Sequence, residues 1–209
     1  PSERARLVID IGGRSTEMIL GRGNEAQKAE SFAVGSVSLS MKHFADGELT
    51  AAAFRAAQVA AGAELEEALQ PFAPSAWEEA LGSSGTAGAV SQLLVALGHG
   101  DGAITPQRLR DLIERCIAAG HVDRLELPGL KADRKPVIAG GLALLYTFAA
   151  QFGIERLLAE SALRRPLADW RVQESWFAGA REDCHFMHCL PVRRNVAVAD
   201  EVLDGPRSR

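Results

Sequence analysis

Two carboxylates flank a run of small residues near the amino terminus. The stretch reads Asp10-Ile11-Gly12-Gly13-Arg14-Ser15-Thr16-Glu17. A carboxylate at a strand end binds a hydrated Mg²⁺, and neighbouring glycines let backbone N–H groups approach phosphate oxygens. The residue types predict Asp10 as a Mg²⁺ ligand and Glu17 as a second ligand or a water-orienting group. The alternative is an ordinary hairpin turn that Asp10 caps.

Two further glycine-rich stretches follow predicted strands. Gly82-Ser83-Ser84-Gly85-Thr86 precedes a predicted helix, whose unpaired amides and dipole favour an anion. Gly140-Gly141 follows a predicted strand at residues 136–139 and is predicted to bring backbone close to a nucleotide or a polyphosphate. A helix cap and close strand–helix packing explain each stretch alone about as well. Three such loops at three strand ends favour phosphate chemistry.

Apolar periodicity indicates which elements position these loops. The first two predicted strands form a β-hairpin, and Thr50 and Thr105 are predicted to cap helices. Strands are predicted at residues 6–11, 15–20, 29–37, 80–81, 136–139 and 154–158, and helices at residues 39–44, 50–69, 87–97, 105–117 and 142–152. This alternation predicts an α/β domain with its ligand at the strand ends.

Composition limits the class of protein. The chain has 209 residues, a formal net charge of −4 and 47% hydrophobic residues, which is ordinary for a globular protein. A net negative charge does not indicate binding to nucleic acid or to an anionic membrane surface. No apolar run reaches the roughly 20 residues that a membrane helix needs. Three cysteines are too few for a disulfide framework, so we expect a cytoplasmic protein.

The motifs together resemble the exopolyphosphatase/guanosine pentaphosphate phosphohydrolase family. Ser161 to Arg164 resembles the start of one more family stretch. The resemblance implies the second actin-like ATPase domain of that family (ribonuclease H-like, the sugar kinase/Hsp70/actin superfamily). Such a domain is α/β, with a mixed sheet and flanking helices, here over residues 1 to about 165. The matching stretches are Leu7 to Gly21, Gly35 to Ser38, Gly82 to Ala87, Ile104 to Leu109 and Val137 to Leu145.

The resemblance also implies an activity. The family removes the terminal phosphate of polyphosphate, or the 5′ γ-phosphate of guanosine pentaphosphate, with Mg²⁺. Asp10 then becomes a metal or phosphate-site carboxylate and Glu17 a catalytic one. The predicted phosphate contacts are Gly12, Gly13, Arg14, Ser15, Gly82, Ser83, Ser84, Gly85, Thr86, Gly140 and Gly141.

Two departures from the family pattern have consequences. Arg14 stands where the family has Gly or Ala, so it is either strained at a positive φ or clamps a phosphate. The resemblance covers the family's second domain only, and we expect the first, which carries another phosphate loop and a general-base glutamate, to be missing. We therefore expect little turnover from the isolated chain. A non-catalytic nucleotide- or polyphosphate-binding module is the alternative.

Residues 166–209 have a different character. His188 to Asn195 and Asp200 to Leu203 resemble the C-terminal part of acetylornithine-type carbamoyltransferases, whose Ser-Thr-Arg-Thr loop this chain lacks. An appended segment without transferase activity is expected, and a transferase fragment or a zinc site at Cys184, His185, His188 and Cys189 are alternatives. Exposed apolar groups favour a homodimer. We expect seven apolar residues on the outside of the phosphatase-like domain or against a second chain, namely Trp170, Trp176, Phe177, Phe186, Leu190, Val196 and Val198.

Overall fold

A five-stranded mixed sheet is the centre of residues 3–160 in the computed structural model, which describes residues 3–23, 25–160, 172–181, 183–187 and 198–208. Its strands are β1 Ala5–Ile11, β2 Thr16–Arg22, β3 Glu25–Phe32, β4 Glu79–Ser83 and β5 Leu157–Ala159. They lie in the order β3-β2-β1-β4-β5, with β1, β4 and β5 parallel and β2 antiparallel to both β1 and β3. The carboxyl ends of β1, β4 and β5 therefore meet at one edge.

The β1–β2 hairpin gives the sheet two different faces. Burial alternates along both strands, because successive side chains of a strand point to opposite faces. Leu7, Ile9 and Met18 are fully buried on the core face. Asp10 and Glu17 belong to the opposite, half-buried set. The predicted hairpin is confirmed.

Five helices accompany the sheet: α1 Ser36–His43, α2 Ala51–Glu64, α3 Ser84–Ala96, α4 Pro106–Ala119 and α5 Lys135–Gln151. The predicted caps of α2 and α4 are confirmed, since Thr50 accepts a hydrogen bond from the Ala53 N–H at 3.1 Å and Thr105 from the Arg108 N–H at 3.3 Å. Helix α5 packs against α1, α2 and α4 and touches α3, which also packs on β1, β4 and β5.

Two predicted strands are wrong in position or type. Residues 136–139 form the first turn of α5, with Pro136 near its start, where proline suits a helix. Ile138 and Ala139 are buried, Val137 is half-buried and Pro136 is exposed, and a run this short does not separate a strand from a helix by apolar periodicity alone. The third strand ends at Phe32 and not at Val37, because Gly35 is the N-cap of α1.

The chain divides into two compact units, residues 1–162 and residues 163–209. The predicted boundary at Pro166 and the His188–Asn195 motif lie outside the described residues, as do Ser161–Arg164, Trp170, Leu190 and Val196.

The second unit contains short-range order. Val172 and Val198 form a parallel bridge, and Asp200–Leu203 is a short helix, α6. The Arg207 guanidinium lies 5.9 Å from the Phe177 ring centre. Trp176 is 57% exposed, whereas Val198 is fully buried. A position of these residues on the outside of the first domain or against a second chain stays a prediction.

No helix within the described ranges has the length and apolar character needed to cross a membrane.

Candidate functional site

Polar side chains form a row across the carboxyl end of the sheet. Asp10 lies directly opposite Glu17 in the β1–β2 ladder, and residues so paired have Cβ atoms about 5 Å apart on the same face. The row continues because Ser31 pairs with Glu17 and Ser83 pairs with Asp10. The Ser83 hydroxyl donates to Glu160 Oε2 at 3.2 Å, which brings a third carboxylate to the row.

The Glu17 carboxylate is anchored through one oxygen. Its Oε1 accepts the Ser15 hydroxyl at 2.8 Å and the Ser31 hydroxyl at 3.0 Å. Asp10 accepts no hydrogen bond from any described side chain. Asp10 and Glu17 are therefore neighbours: hydrogen bonds hold Glu17, whereas Asp10 accepts none from a described side chain.

The loop at residues 12–15 is fixed by its own backbone and by α1. The Gly12 N–H donates to the Ser15 carbonyl at 2.9 Å. The Gly12 carbonyl accepts the Ser36 N–H at 3.0 Å, and the Gly13 carbonyl accepts the N–H groups of Val37 and Ser38 at 2.9 and 3.0 Å. These bonds use the amides at the start of α1, so that helix end is not an anion site.

Arg14 lies exposed at the tip of this loop. Its φ is not positive, so the strain considered from the sequence is absent. A clamp on a phosphate by its guanidinium remains a prediction.

The second glycine-rich stretch is a sharp junction between β4 and α3. Ser84 has a φ of 70°, the left-handed region in which a non-glycine residue costs about 1–3 kcal/mol. Its hydroxyl donates to the Ile11 carbonyl at 2.6 Å, and the Thr86 hydroxyl donates to the same oxygen at 3.1 Å. The hydroxyls of Ser84 and Thr86 therefore join this junction to the end of β1.

A basic pocket opens at the start of α3. Its cavity, of about 240 Å³, is lined by Ser84, Gly85, Gln92, Lys131 and Arg134 among others. A Cβ on Gly85 would lie 2.9 Å from Nη2 of Arg134, so the guanidinium covers this glycine. The N-cap Ser83 makes no side-chain capping hydrogen bond, so the start of α3 beside this pocket lacks that partner for its first amides.

Lys131 and Arg134 were missed by the sequence analysis. Arg134 Nε also lies 3.9 Å from Asp133 Oδ2, at the exposed edge of the pocket. The charged run from Lys131 to Lys135, directly before a buried helix, was the available signal. Glu160 lies directly after β5 and is, like Asp10, a carboxylate at a strand end. The sequence analysis missed it as well.

Gly140 and Gly141 do not form a loop at a strand end. Both are buried inside α5, where a Cβ on Gly140 would lie 2.5 Å from Ser40 Oγ and one on Gly141 would lie 2.9 Å from Thr86 Cγ2. The Gly140 N–H donates to Ser40 Oγ at 3.2 Å. Close packing of α5 requires Gly140 against α1 and Gly141 against Thr86 of α3, so their predicted position at a strand-end phosphate loop is wrong.

The carboxylate pair fits Mg²⁺. Two like charges directly opposite each other repel, and a cation between them would offset that repulsion. Within the described part of the chain, no group of three or more His, Cys, Asp or Glu side chains is placed to hold a metal. Mg²⁺ is commonly held by one or two carboxylates, with water and substrate phosphates completing six ligands, and Asp10 with Glu17 matches that donor set.

Comparison with known proteins gives two matches along the chain. A family model described as the Ppx/GppA phosphatase family matches residues 1–167. The Asp/Orn binding domain of aspartate/ornithine carbamoyltransferase matches residues 141–209.

Curated relatives carry the name guanosine-5′-triphosphate,3′-diphosphate pyrophosphatase. The Aeromonas hydrophila protein is 40% identical over 166 residues, which are 79% of this chain and 33% of that protein. The Vibrio cholerae protein is 37% identical over 170 residues, or 81% of this chain and 34% of that protein. This chain therefore spans about a third of the length of these relatives.

Solved structures confirm the predicted actin-like α/β fold. A PPX-GPPA enzyme from Aquifex aeolicus gives a TM-score of 0.62 at 19% identity, over 76% of this chain and 54% of that one. An exopolyphosphatase from Cytophaga hutchinsonii gives 0.57 at 19% identity, over 75% and 53%.

Proposed function

The chain belongs to the Ppx/GppA phosphatase family, and we propose that it carries one wall of a site that hydrolyses a terminal phosphoanhydride. The proposed substrates are inorganic polyphosphate and guanosine pentaphosphate, which end in the same bond. Mg²⁺ is the proposed cofactor. The names of the relatives support this substrate class.

One observation carries the proposal: a candidate cation site and a candidate anion site adjoin the same short loop. Ser15, at the end of the loop, donates to Glu17, so the loop contacts the carboxylate pair. Ile11, directly before the loop, accepts the hydroxyls of Thr86 and of Ser84, which lines the basic pocket. A metal-bound phosphate chain needs this combination of a hard cation site and a cluster of donors.

The site's own groups divide the work of phosphoryl transfer. When bound, Mg²⁺ supplies positive charge to the phosphate oxygens. Asp10 and Glu17 provide its protein ligands, and Glu17 also orients water. The N–H groups of Gly13 and Arg14 donate to no described residue and are left for phosphate oxygens. Lys131, Arg134 and the first amides of α3 neutralise the next phosphate along the chain.

Asp10→Asn is expected to abolish the Mg²⁺-dependent part of ligand stabilisation. In the unmodified chain, Mg²⁺ with polyphosphate should raise the melting temperature, and each tenfold rise in ligand above Kd should add about 1.4 kcal/mol. The amide keeps the shape of the side chain but removes its charge. Thermal melts with and without Mg²⁺ measure the difference.

The control for this experiment is Glu25→Gln, an exposed carboxylate at the other end of the β2–β3 ladder. It should retain the full Mg²⁺ response. An equal response in Asp10→Asn would show that the cation binds elsewhere.

Arg134→Gln is expected to weaken polyphosphate binding by about 10- to 100-fold, with or without Mg²⁺. A hydrogen bond to a charged group contributes about 1.5–3 kcal/mol, and the guanidinium lies over the open start of α3. Titration of polyphosphate by calorimetry measures the change. Arg115→Gln, on the exposed face of α4, should bind as the unmodified chain does. Equal loss in both variants would indicate a general charge effect and no specific pocket.

A further inference from the structure

The two oxygens of the Glu17 carboxylate have unequal environments. Each carboxylate oxygen carries two lone pairs. The Ser15 and Ser31 hydroxyls both donate to Oε1, at 2.8 and 3.0 Å. No described residue donates to Oε2. Both lone pairs of Oε1 are therefore used by protein donors, and Oε2 is available to bind a cation.

The two donors come from different elements. Ser15 belongs to the loop that joins β1 and β2, whereas Ser31 lies on β3, the edge strand, directly opposite Glu17. Asp10 is the partner of Glu17 on its other side, in β1. Glu17 is thus flanked by a hydroxyl on one side and a carboxylate on the other.

This arrangement restricts a flexible side chain. A glutamate has three side-chain torsions, and the last is broad, so a single hydrogen bond leaves the carboxylate plane free to turn. A second donor from another strand fixes that plane. Because Oε1 already accepts both hydroxyls, Oε2 is the oxygen left to share a cation with Asp10.

We propose that Ser31 is a positioning residue that holds Glu17 so that Oε2 and the Asp10 carboxylate bind the same cation. The inference rests on the proposed function for its cation, but the contact between Ser31 and Glu17 does not. Ser31 touches neither metal nor substrate in this proposal and acts only through Glu17.

Three variants test the proposal. Ser31→Ala removes the donor, and Ser31→Thr keeps a hydroxyl on a residue that suits a strand. Ser75→Ala removes an exposed hydroxyl in the turn at Pro74–Ala76, away from the row, and is the matched control. Melting of each protein without ligand shows whether the fold is intact, and all three are expected to melt close to the unmodified chain.

The first measurement is the carboxyl ¹³C resonance of Glu17, identified by its loss in Glu17→Gln. It should move in Ser31→Ala and return towards its original position in Ser31→Thr. The second measurement is the Mg²⁺ concentration that gives half of the maximal stabilisation at saturating polyphosphate. This concentration should rise about tenfold in Ser31→Ala. Loss of a residue that holds a metal ligand weakens metal binding by about 10- to 100-fold, and the lower value is expected because Ser15 still holds Glu17. Ser31→Thr should restore the original concentration, and Ser75→Ala should change neither quantity.

Two results would overturn the proposal. An unmoved Glu17 resonance in Ser31→Ala would show that the hydroxyl does not hold the carboxylate. An unchanged Mg²⁺ midpoint beside a moved resonance would show that the contact has no role in cation binding. If Mg²⁺ and polyphosphate do not raise the melting temperature of the unmodified chain, the proposed function fails, and the shared cation fails with it. The Glu17 resonance would still show in that case whether Ser31 holds the carboxylate.

Discussion

Residues 1–162 are expected to support rapid phosphate release when they replace the matching segment of the Aeromonas hydrophila relative, although the isolated chain releases almost none. The nucleophile and the leaving group lie on opposite sides of the phosphorus, so hydrolysis needs groups on two facing walls. The carboxylate row and the basic pocket lie at one edge of a single sheet. Each missing positioning or electrostatic element costs roughly 10²–10³ in rate, so the chimera should exceed the isolated chain by at least that factor.

Phosphate release from polyphosphate and from guanosine pentaphosphate by both proteins measures this difference. Asp10→Asn in the chimera should return the rate to roughly that of the isolated chain, while Glu25→Gln should leave it unchanged. Equal turnover by the isolated chain and the chimera would mean that the catalytic groups are complete in this chain. Glu17 would then be the candidate general base.

Gly35→Ala is expected to be the most damaging methyl addition next to the site. A Cβ at Gly35 would lie 2.5 Å from the backbone carbon and oxygen of Gly13 and 2.5 Å from the Arg14 nitrogen. Backbone atoms cannot rotate away as a side chain does, so the loop or α1 must shift. Such overpacking costs about 3 kcal/mol, which lowers the melting temperature of a domain of this size by about 6–12 °C.

Gly100→Ala is the control, because its Cβ would meet no atom within 4 Å. It should leave the melting temperature unchanged or raise it slightly, since alanine reduces the freedom of the unfolded chain. The Mg²⁺ response of Gly35→Ala, measured below its new melting temperature, should also weaken, because the loop carrying Ser15 moves. A melting temperature within 1 °C of the unmodified chain would contradict the close approach of Gly35 to the loop.

Local signals in the sequence were sufficient for the hairpin and for the helix starts. Alternating apolar residues on both sides of the Gly12–Gly13 turn specify a strand pair, and Thr105-Pro106 specifies a helix start. Both depend on neighbours within a few positions. Gly140 and Gly141 show the limit, because a glycine pair looks the same whether it serves a ligand or a neighbouring helix.

Long-range contacts were beyond the reach of local patterns. Arg134 lies about 50 residues along the chain from Gly85, and only the packing of the segment before α5 brings them together. The pairing of Ser31 with Glu17 depends on the β2–β3 register, which includes an irregularity at Leu20/Gly21. A shift of one residue would place Ser31 on the other face.

The bonds that hold the loop at residues 12–15 have a consequence for how this family diverges. The carbonyls of Ile11, Gly12 and Gly13 make the contacts to α1 and α3, so the loop keeps its shape through atoms that every residue type possesses. We expect substitution at an outward position such as Arg14 to be nearly neutral for the fold, so relatives should differ in the side chain that they present there. We expect relatives to keep the glycine behind the loop, Gly35, because a side chain there would lie 2.5 Å from the backbone of Gly13 and Arg14.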